Sequence, residues 1–220
     1  VVGAGNCFSS LYQGLEYYKD HDDSSIPGIM WATIGGYHPR DIEVVAVYDV
    51  DKRKVGKPTG AAIFAKPNCA RVFQPNVPSG PMVEMGTVLD GVSEHMLTQP
   101  EDQGFRLSKE KPVDIVASLK KSKADILVNY LPVGSQAATE FYAQAAIDAQ
   151  VAFLNCIPVF IASDPTWEQK FIDAGLPIIG DDMRSQLGAS VLSQVLQELA
   201  FDRGLIVDFH QQLKDRKSVV

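Results

Sequence analysis

The sequence has few cysteines, few histidines, no long apolar run and no excess of positive charge. Its three cysteines, Cys7, Cys69 and Cys156, are scattered, odd in number and without C-x-x-C spacing. That pattern suits a reducing compartment, and the expected location is cytoplasmic. No apolar run approaches the roughly 18 residues that span a bilayer, and no charged segment followed by an apolar one marks a secretory signal. Twenty Lys and Arg against 27 Asp and Glu leave a net charge of −7. This argues against nucleic acid or an anionic membrane as the main partner. A phosphorylated substrate remains compatible, because a few basic side chains can gather around one pocket. His21, His38, His95 and His210 are dispersed, and none stands at metal-ligand spacing from a Cys or a carboxylate. No metal site is assigned.

What is present is an ordinary globular composition, 45% hydrophobic and 21% charged over 220 residues. Strands and helices are predicted to alternate. Val1-Val2 ends a first strand. Leu11, Leu15 and Tyr18, at spacings of four and three, predict a helix over 8–19. The continuous apolar runs 43–48, 126–130, 151–155 and 177–180 read as strands. Helices are predicted over 112–121, 140–149, 164–174 and 188–203, with Pro112 in a first turn and Asp164 as a cap. Apolar runs without alternation imply strands buried on both faces, and intervening helices imply parallel pairing. The expected fold class is therefore α/β, a doubly wound, mostly parallel, Rossmann-like sheet. Two stretches fall outside the pattern. Segment 20–40 reads as an insertion, and 56–103 is rich in Pro and Gly, with at most a short strand near Met82-Val83.

The chemistry is suggested by Gly3-Ala4-Gly5-Asn6-Cys7-Phe8, which follows a strand end and opens a helix. The first Gly allows the tight turn, the second lets backbone approach a pyrophosphate, and free N–H groups at the helix start bind the anion. Phe8 departs from the pattern by standing where a third small residue normally packs. A plain strand–turn–helix without ligand is the competing reading. Asp49 follows the strand 43–48, where a carboxylate can accept hydrogen bonds from ribose hydroxyls and repel a 2′-phosphate. It comes 44 residues after Gly5, against the usual spacing of about 20, and the 20–40 insertion accounts for the excess. A turn residue is the alternative.

Further residues carry a family resemblance. Gly3-x-Gly5-Asn6-Cys7-x-Ser9-Ser10, Gly14-x-Glu16-Tyr17-Tyr18, Asp49-Val50-Asp51 and Asn129-Tyr130-Leu131-Pro132-Val133-Gly134-Ser135 resemble the opening of the shorter bacterial and archaeal inositol-phosphate synthases. The likeness peaks at Pro158-Val159-Phe160-Ile161-Ala162-Ser163-Asp164-Pro165 and Gly180-Asp181-Asp182-x-x-Ser185-Gln186-x-Gly188, and it reaches about Leu213. The resemblance implies an NAD-binding domain joined to a catalytic and oligomerisation domain, as a homotetramer. It implies conversion of glucose 6-phosphate to myo-inositol 1-phosphate, with oxidation at C5, enolisation, aldol closure and return of the hydride. The family's oxyanion-stabilising lysines belong to the second domain, so a chain of this extent is expected to be inactive alone.

Residue by residue, the resemblance places Gly3, Gly5, Asn6 and Cys7 at the pyrophosphate and Asp49 at the ribose. Tyr130, Pro132 and Asn155 follow strands at the carboxyl edge. Asp181, Asp182 and Ser185 match the nicotinamide end. Tyr142 matches a cofactor-linked position but lies in a helix, where packing is an equal reading. Arg184 replaces a family Lys, and Gln150 replaces a Gly expected past a helix end. Asp181-Asp182 resembles a metal pair, but a helix-capping role is open to it. Cys7 reads as a packing residue beside the cofactor, and Lys52-Arg53-Lys54 as a solvated helix start. The expected domain limits are 1–204 for the NAD-binding part and 205–214 for a connection. Residues 215–220 are expected to be a non-native tail, with a genuine polar tail as the alternative. Two other functions stay open: a net NAD-dependent dehydrogenase, and a nucleotide-binding remnant without catalysis.

Overall fold

The computed structural model describes residues 1–21, 28–92, 94–183 and 189–209. It divides into two compact units, Val1–Asp182 and Met183–Val220. The expected domain 1–204 covers the first unit and the helix of the second.

In the first unit, α1 (Asn6–Tyr18) is followed by a 3₁₀ turn (Pro39–Asp41), β1 (Val47–Asp49), α2 (Thr59–Ala62), β2 (Val83–Met85) and α3 (Glu94–Thr98). Then come α4 (Ile115–Ser122), β3 (Ile126–Asn129), α5 (Gln136–Ala149), β4 (Ala152–Asn155), α6 (Pro165–Ala174) and β5 (Ile178–Ile179). The second unit holds α7 (Ala189–Asp202), with Leu192, Val195, Leu196 and Leu199 on one face at helical spacing.

All strand pairs are parallel. β2 lies beside β1, and β3, β4 and β5 follow in order. Val2 joins the halves by bridging to both Tyr48 and Asn129. On one side the Gly3 N–H donates to Tyr48 O and the Tyr48 N–H to Val1 O; on the other the Val2 N–H donates to Val128 O and the Tyr130 N–H to Val2 O, each at 2.9 Å. Residues 1–3 are thus the central strand, and the order β2–β1–(1–3)–β3–β4–β5 is the doubly wound arrangement expected from the alternating pattern.

Burial confirms two covered faces. Neighbouring strand residues point to opposite sides. Val47 packs with Phe8 and Tyr12 of α1 and with Ala62, Ile63 and Val83. Tyr48, one residue on, packs with Ile115 and Leu119 of α4, Tyr142 and Ala146 of α5, and Phe153 and Phe171. Phe8, the departure from a small residue in the glycine motif, is wholly buried and sits against Tyr12 with ring centroids 5.6 Å apart. The larger side chain is absorbed as core.

Side chains account for several helix boundaries. Asp114 accepts from the Ala117 N–H at 2.9 Å, so α4 starts after Asp114 and not at Pro112. Asp164 accepts from the Thr166 and Trp167 N–H groups, as its capping role requires. Gln150, standing for the expected Gly, does adopt the left-handed conformation at φ +62° and closes α5 onto Ala146 and Ile147 carbonyls. The basic run 52–54 begins no helix; it lies in a turn, and Lys54 is buried.

Two stability changes follow. A non-glycine residue in the left-handed region costs about 1–2 kcal/mol, partly offset by the chain entropy that Gly adds to the unfolded state. Gln150→Gly is therefore expected to stabilise the protein by about 0.5–1 kcal/mol. Phe171 is fully buried and stacks on Phe153, so Phe171→Ala should cost about 3–5 kcal/mol. Urea unfolding midpoints check both, and an unchanged or lower midpoint for Gln150→Gly would contradict the first.

Candidate active-site edge

Because the strands are parallel, the loops after them gather at one edge of the sheet. The glycine turn sits at its centre. Gly3 has φ +88°, and a Cβ there would stand 2.6 Å from Tyr130 O. Backbone geometry and space both demand glycine at this position. Gly5 is different. Its φ of −84° suits any residue, and a Cβ would meet nothing within 4 Å. No contact within the described protein calls for glycine there.

Gly5 is the N-cap of α1, and no side chain caps that helix. The other long helices of the first unit each have an acidic acceptor among the described residues. Asp114 serves α4 and Asp164 serves α6. Asp90 reaches α5 from a loop, accepting from the Ala137 N–H at 2.7 Å and the Ala138 N–H at 2.8 Å. The positive end of α1 is left for another acceptor.

Asn6 turns its side chain away from the turn. Its Oδ1 accepts from the Cys69 and Ala70 N–H groups at 2.8 and 2.9 Å, and its Nδ2 donates to Cys69 Sγ. It therefore anchors the following loop beside α1, together with buried Gln13, whose Oε1 accepts from the Phe73 N–H at 2.9 Å. Cys7 is exposed on the first helical turn; it packs into no core.

Asp49 ends β1 as expected, but its carboxylate is taken by the protein. Oδ1 accepts from the Val50 and Asp51 N–H groups at 2.7 and 2.8 Å, and Oδ2 accepts from the Ala4 N–H at 2.8 Å. Lys54 Nζ lies 3.6 Å from Oδ2. Lys54 also donates to Ala4 O at 2.8 Å and to Asn68 Oδ1 at 2.9 Å. Next to it, Asp51 is fully buried and grips Arg53 Nε and the Arg53 N–H, each at 2.8 Å. The Arg53 guanidinium also donates to the carbonyls of Glu101 and Gly104. Burial pushes the Asp51 carboxyl upward, but the Arg53 bonds and the Arg106 N–H outweigh it and hold it below its ordinary value.

A second polar chain runs across the strand ends on the other side. Asn129 Nδ2 donates to Asn155 Oδ1 at 2.9 Å, and Asn155 Nδ2 donates to Asp181 Oδ1 at 2.8 Å and Val159 O at 2.7 Å. Asp181 also accepts from the N–H groups of Ile161, Ala162 and Ser163 at 3.0–3.1 Å. Burial favours the neutral acid, yet the Asn155 and backbone bonds prevail and keep Asp181 below its usual value. Asn155 and Asp181 thus hold the 157–163 loop in place. The Asp182 N–H donates to Ile157 O at 3.1 Å, and its side chain is exposed. Ser185 and Arg184 lie outside the described residues.

Tyr130 is half-buried and Pro132 exposed on the loop after β3. Tyr142 is a core residue. It is 2% exposed, packs near Tyr48, and accepts from the Thr87 N–H at 3.3 Å; of its two readings, the structure shows packing. Burial pushes the Cys156 thiol up to about 11, which keeps it neutral at pH 7. Among the described residues there is no group of three His, Cys, Asp or Glu that would hold a metal ion.

Reading the sequence missed Lys54, Asn68, Asp90 and Asn129. Their partners come from distant segments, so the local pattern gives no sign of these bonds, even for Asn129, which lies in a strand read as buried.

No protein-family model matches the chain. It is 50% identical over 214 residues to inositol-3-phosphate synthase of Mycobacterium tuberculosis, covering 97% of this chain and 57% of that protein. Identity to the proteins of the same name from Corynebacterium glutamicum and Mycolicibacterium smegmatis is 48% and 47%, covering 97% of this chain and 58% of each. The chain thus spans a little over half the length of the curated relatives it matches. Among solved structures, the crystal structure of Ari2 superposes with a TM-score of 0.76 at 37% identity, over 92% of this chain and 59% of that one. A myo-inositol-1-phosphate synthase-related protein from Thermotoga maritima gives 0.71 at 22% identity, over 92% of this chain and 58% of that one. This second likeness speaks to the fold alone.

The two carboxylates predict acid sensitivity. Asp51 and Asp181 titrate below the ordinary 3.8 in the folded state. Their contribution is therefore present above 3.8 and lost as pH falls through the lower folded values. Urea midpoints taken from pH 6 to pH 2 should drop below about pH 4, and Asp181→Asn should flatten part of that drop. An unchanged slope in the variant would remove Asp181 from the account.

Proposed function

Since the chain belongs to the inositol-3-phosphate synthase family, we propose that it forms the NAD-binding part of an enzyme that isomerises glucose 6-phosphate to myo-inositol 1-phosphate. The observation that carries the nucleotide site is Gly5. Among the described residues its missing side chain serves no contact, and it caps the one long helix of the first unit that has no carboxylate at its start. A pyrophosphate fits both features, since it needs close backbone approach and free N–H groups.

On this reading the backbone of Gly3, Gly5, Asn6 and Cys7 cradles the pyrophosphate. Asp49 belongs to the site at the ribose end, where its negative charge disfavours a 2′-phosphate. Arg53, the guanidinium that could balance such a phosphate, is committed to Asp51 and to backbone carbonyls. Tyr130 and Pro132 border the cofactor on the loop after β3. Asn155 and Asp181 fix the neighbouring loop, and Asp182 is assigned to the nicotinamide end; Ser185, which the resemblance assigns there too, lies outside the described residues. Bound NAD would supply a hydride acceptor that later gives the hydride back. The family's lysines for the enolate lie in the further domain, and a homotetramer and a cytoplasmic setting complete the reading.

Three outcomes test it in the full-length protein. Supplied with glucose 6-phosphate and a trace of NAD, it should form inositol phosphate over many turnovers with no lasting NADH absorbance. One NADH released per substrate would identify a dehydrogenase instead. Calorimetry should show NAD binding at least about tenfold more tightly than its 2′-phosphorylated form, about 1.4 kcal/mol, and equal affinities would remove the charge argument. Gly5→Ala should leave the urea midpoint within about 0.5 kcal/mol of wild type while weakening NAD binding at least about tenfold. Unimpaired binding would mean that nothing approaches the turn at Gly5.

A further inference from the structure

The middle residue of the glycine turn, Ala4, is gripped from beneath on both of its backbone polar groups. Ala4 is fully buried. Its N–H donates to Asp49 Oδ2 at 2.8 Å, and its carbonyl accepts from Lys54 Nζ at 2.8 Å and Asn68 Nδ2 at 2.9 Å. Lys54 links the other two side chains. Lys54 donates to Asn68 Oδ1 at 2.9 Å and lies 3.6 Å from Asp49 Oδ2. Asn68 Nδ2 reaches Ile63 O as well, at 2.9 Å.

The inventory of polar atoms is nearly closed. An ammonium has three N–H donors, and Lys54 has three acceptors around it: Ala4 O, Asn68 Oδ1 and Asp49 Oδ2. The residue is 1% exposed, so no water shell competes for it. Asp49 has two backbone N–H groups on one oxygen, and the Ala4 N–H with the Lys54 ammonium on the other. A carboxylate so surrounded is held in one orientation beneath the turn.

We propose that Lys54, Asp49 and Asn68 form a buried positioning cluster that sets the glycine turn for the nucleotide by holding both polar groups of Ala4. This rests on the nucleotide-site reading above. Physically, a buried ion pair is weak evidence for stability but strong for geometry, because removing one partner leaves an unpaired charge in a confined place. Here that charge would lie directly beneath the backbone that cradles the pyrophosphate. Asn68 extends the cluster to the end of the 56–68 stretch, so that stretch and the turn hold a common arrangement.

The test is NADH binding by fluorescence titration in the full-length protein, with urea midpoints measured alongside. Lys54→Met and Asp49→Asn are each expected to weaken NADH binding at least tenfold. The double variant Asp49→Asn/Lys54→Met should lose less than the product of the two, because no buried charge is left unpaired. Penalties that multiply would mean that the two residues act independently, and that result overturns the proposal. So does binding within twofold of wild type for Lys54→Met. Leu127→Ala, a buried core change elsewhere in the sheet, provides the control. It should lower the urea midpoint and leave NADH affinity intact, and an equal loss of affinity would reduce the cluster to general stability. Should Lys54→Met fail to fold, Asn68→Ala decides by the same comparison, with three- to tenfold weaker binding expected and wild-type binding overturning the proposal. Absence of NADH binding by the wild type would sink the nucleotide site itself, whereas wild-type binding with unaffected variants sinks only this proposal.

Discussion

The hydrogen bonds that residues 1–3 make on both sides hold the first unit's sheet together. Through them β1 and β2 join β3, β4 and β5 in one parallel sheet. The central position of this strand puts the following turn at the middle of the carboxyl edge, with strands on either side. Gly3 is required there because Tyr130 O lies where its Cβ would be. The sheet's middle ladder and the shape of the turn are therefore one constraint.

From that centre two buried polar assemblies extend in opposite directions. One links Ala4 to Asp49, Lys54 and Asn68; the other links Asn129 to Asn155, Asp181 and the loop 157–163. Both use charged or amide side chains bound to backbone groups and to one another. Buried polar groups left unmatched are costly, so such assemblies define a particular loop arrangement. The uncapped start of α1 and the open space at Gly5 contrast with them. The edge thus combines rigid support with a helix start that no described side chain caps.

The fold was legible because the relevant signals are local. Apolar runs such as 126–130 and 151–155 marked strands, and Asp164-Pro165 marked a helix start through side-chain geometry confined to a few residues. Short elements were harder to read. α2 and α3 lie in a Pro- and Gly-rich stretch, and β1 is confined to Val47–Asp49, later than the apolar run 43–48 suggested. Strand limits depend on the neighbouring strand, which a local pattern does not include. Gln150 stood out only through the resemblance, which expects a Gly past a helix end, and it takes the left-handed conformation that such a Gly would adopt.

The site was legible in position and less so in role. By itself the sequence determined the order of strands and helices, the glycine turn before α1, and Asp49 at a strand end, since each rests on residues close together in the chain. Only the tertiary structure decided which polar groups are already satisfied. It brought Lys54 and Asn68 to Ala4, turned Asn6 toward Cys69 and Ala70, gave Asp90 to α5, and enclosed Tyr142 in the core. Hydrogen-bond capacity is filled by whichever donor or acceptor arrives in space, and for Ala4 and Asn6 that partner lies 64 residues along the chain.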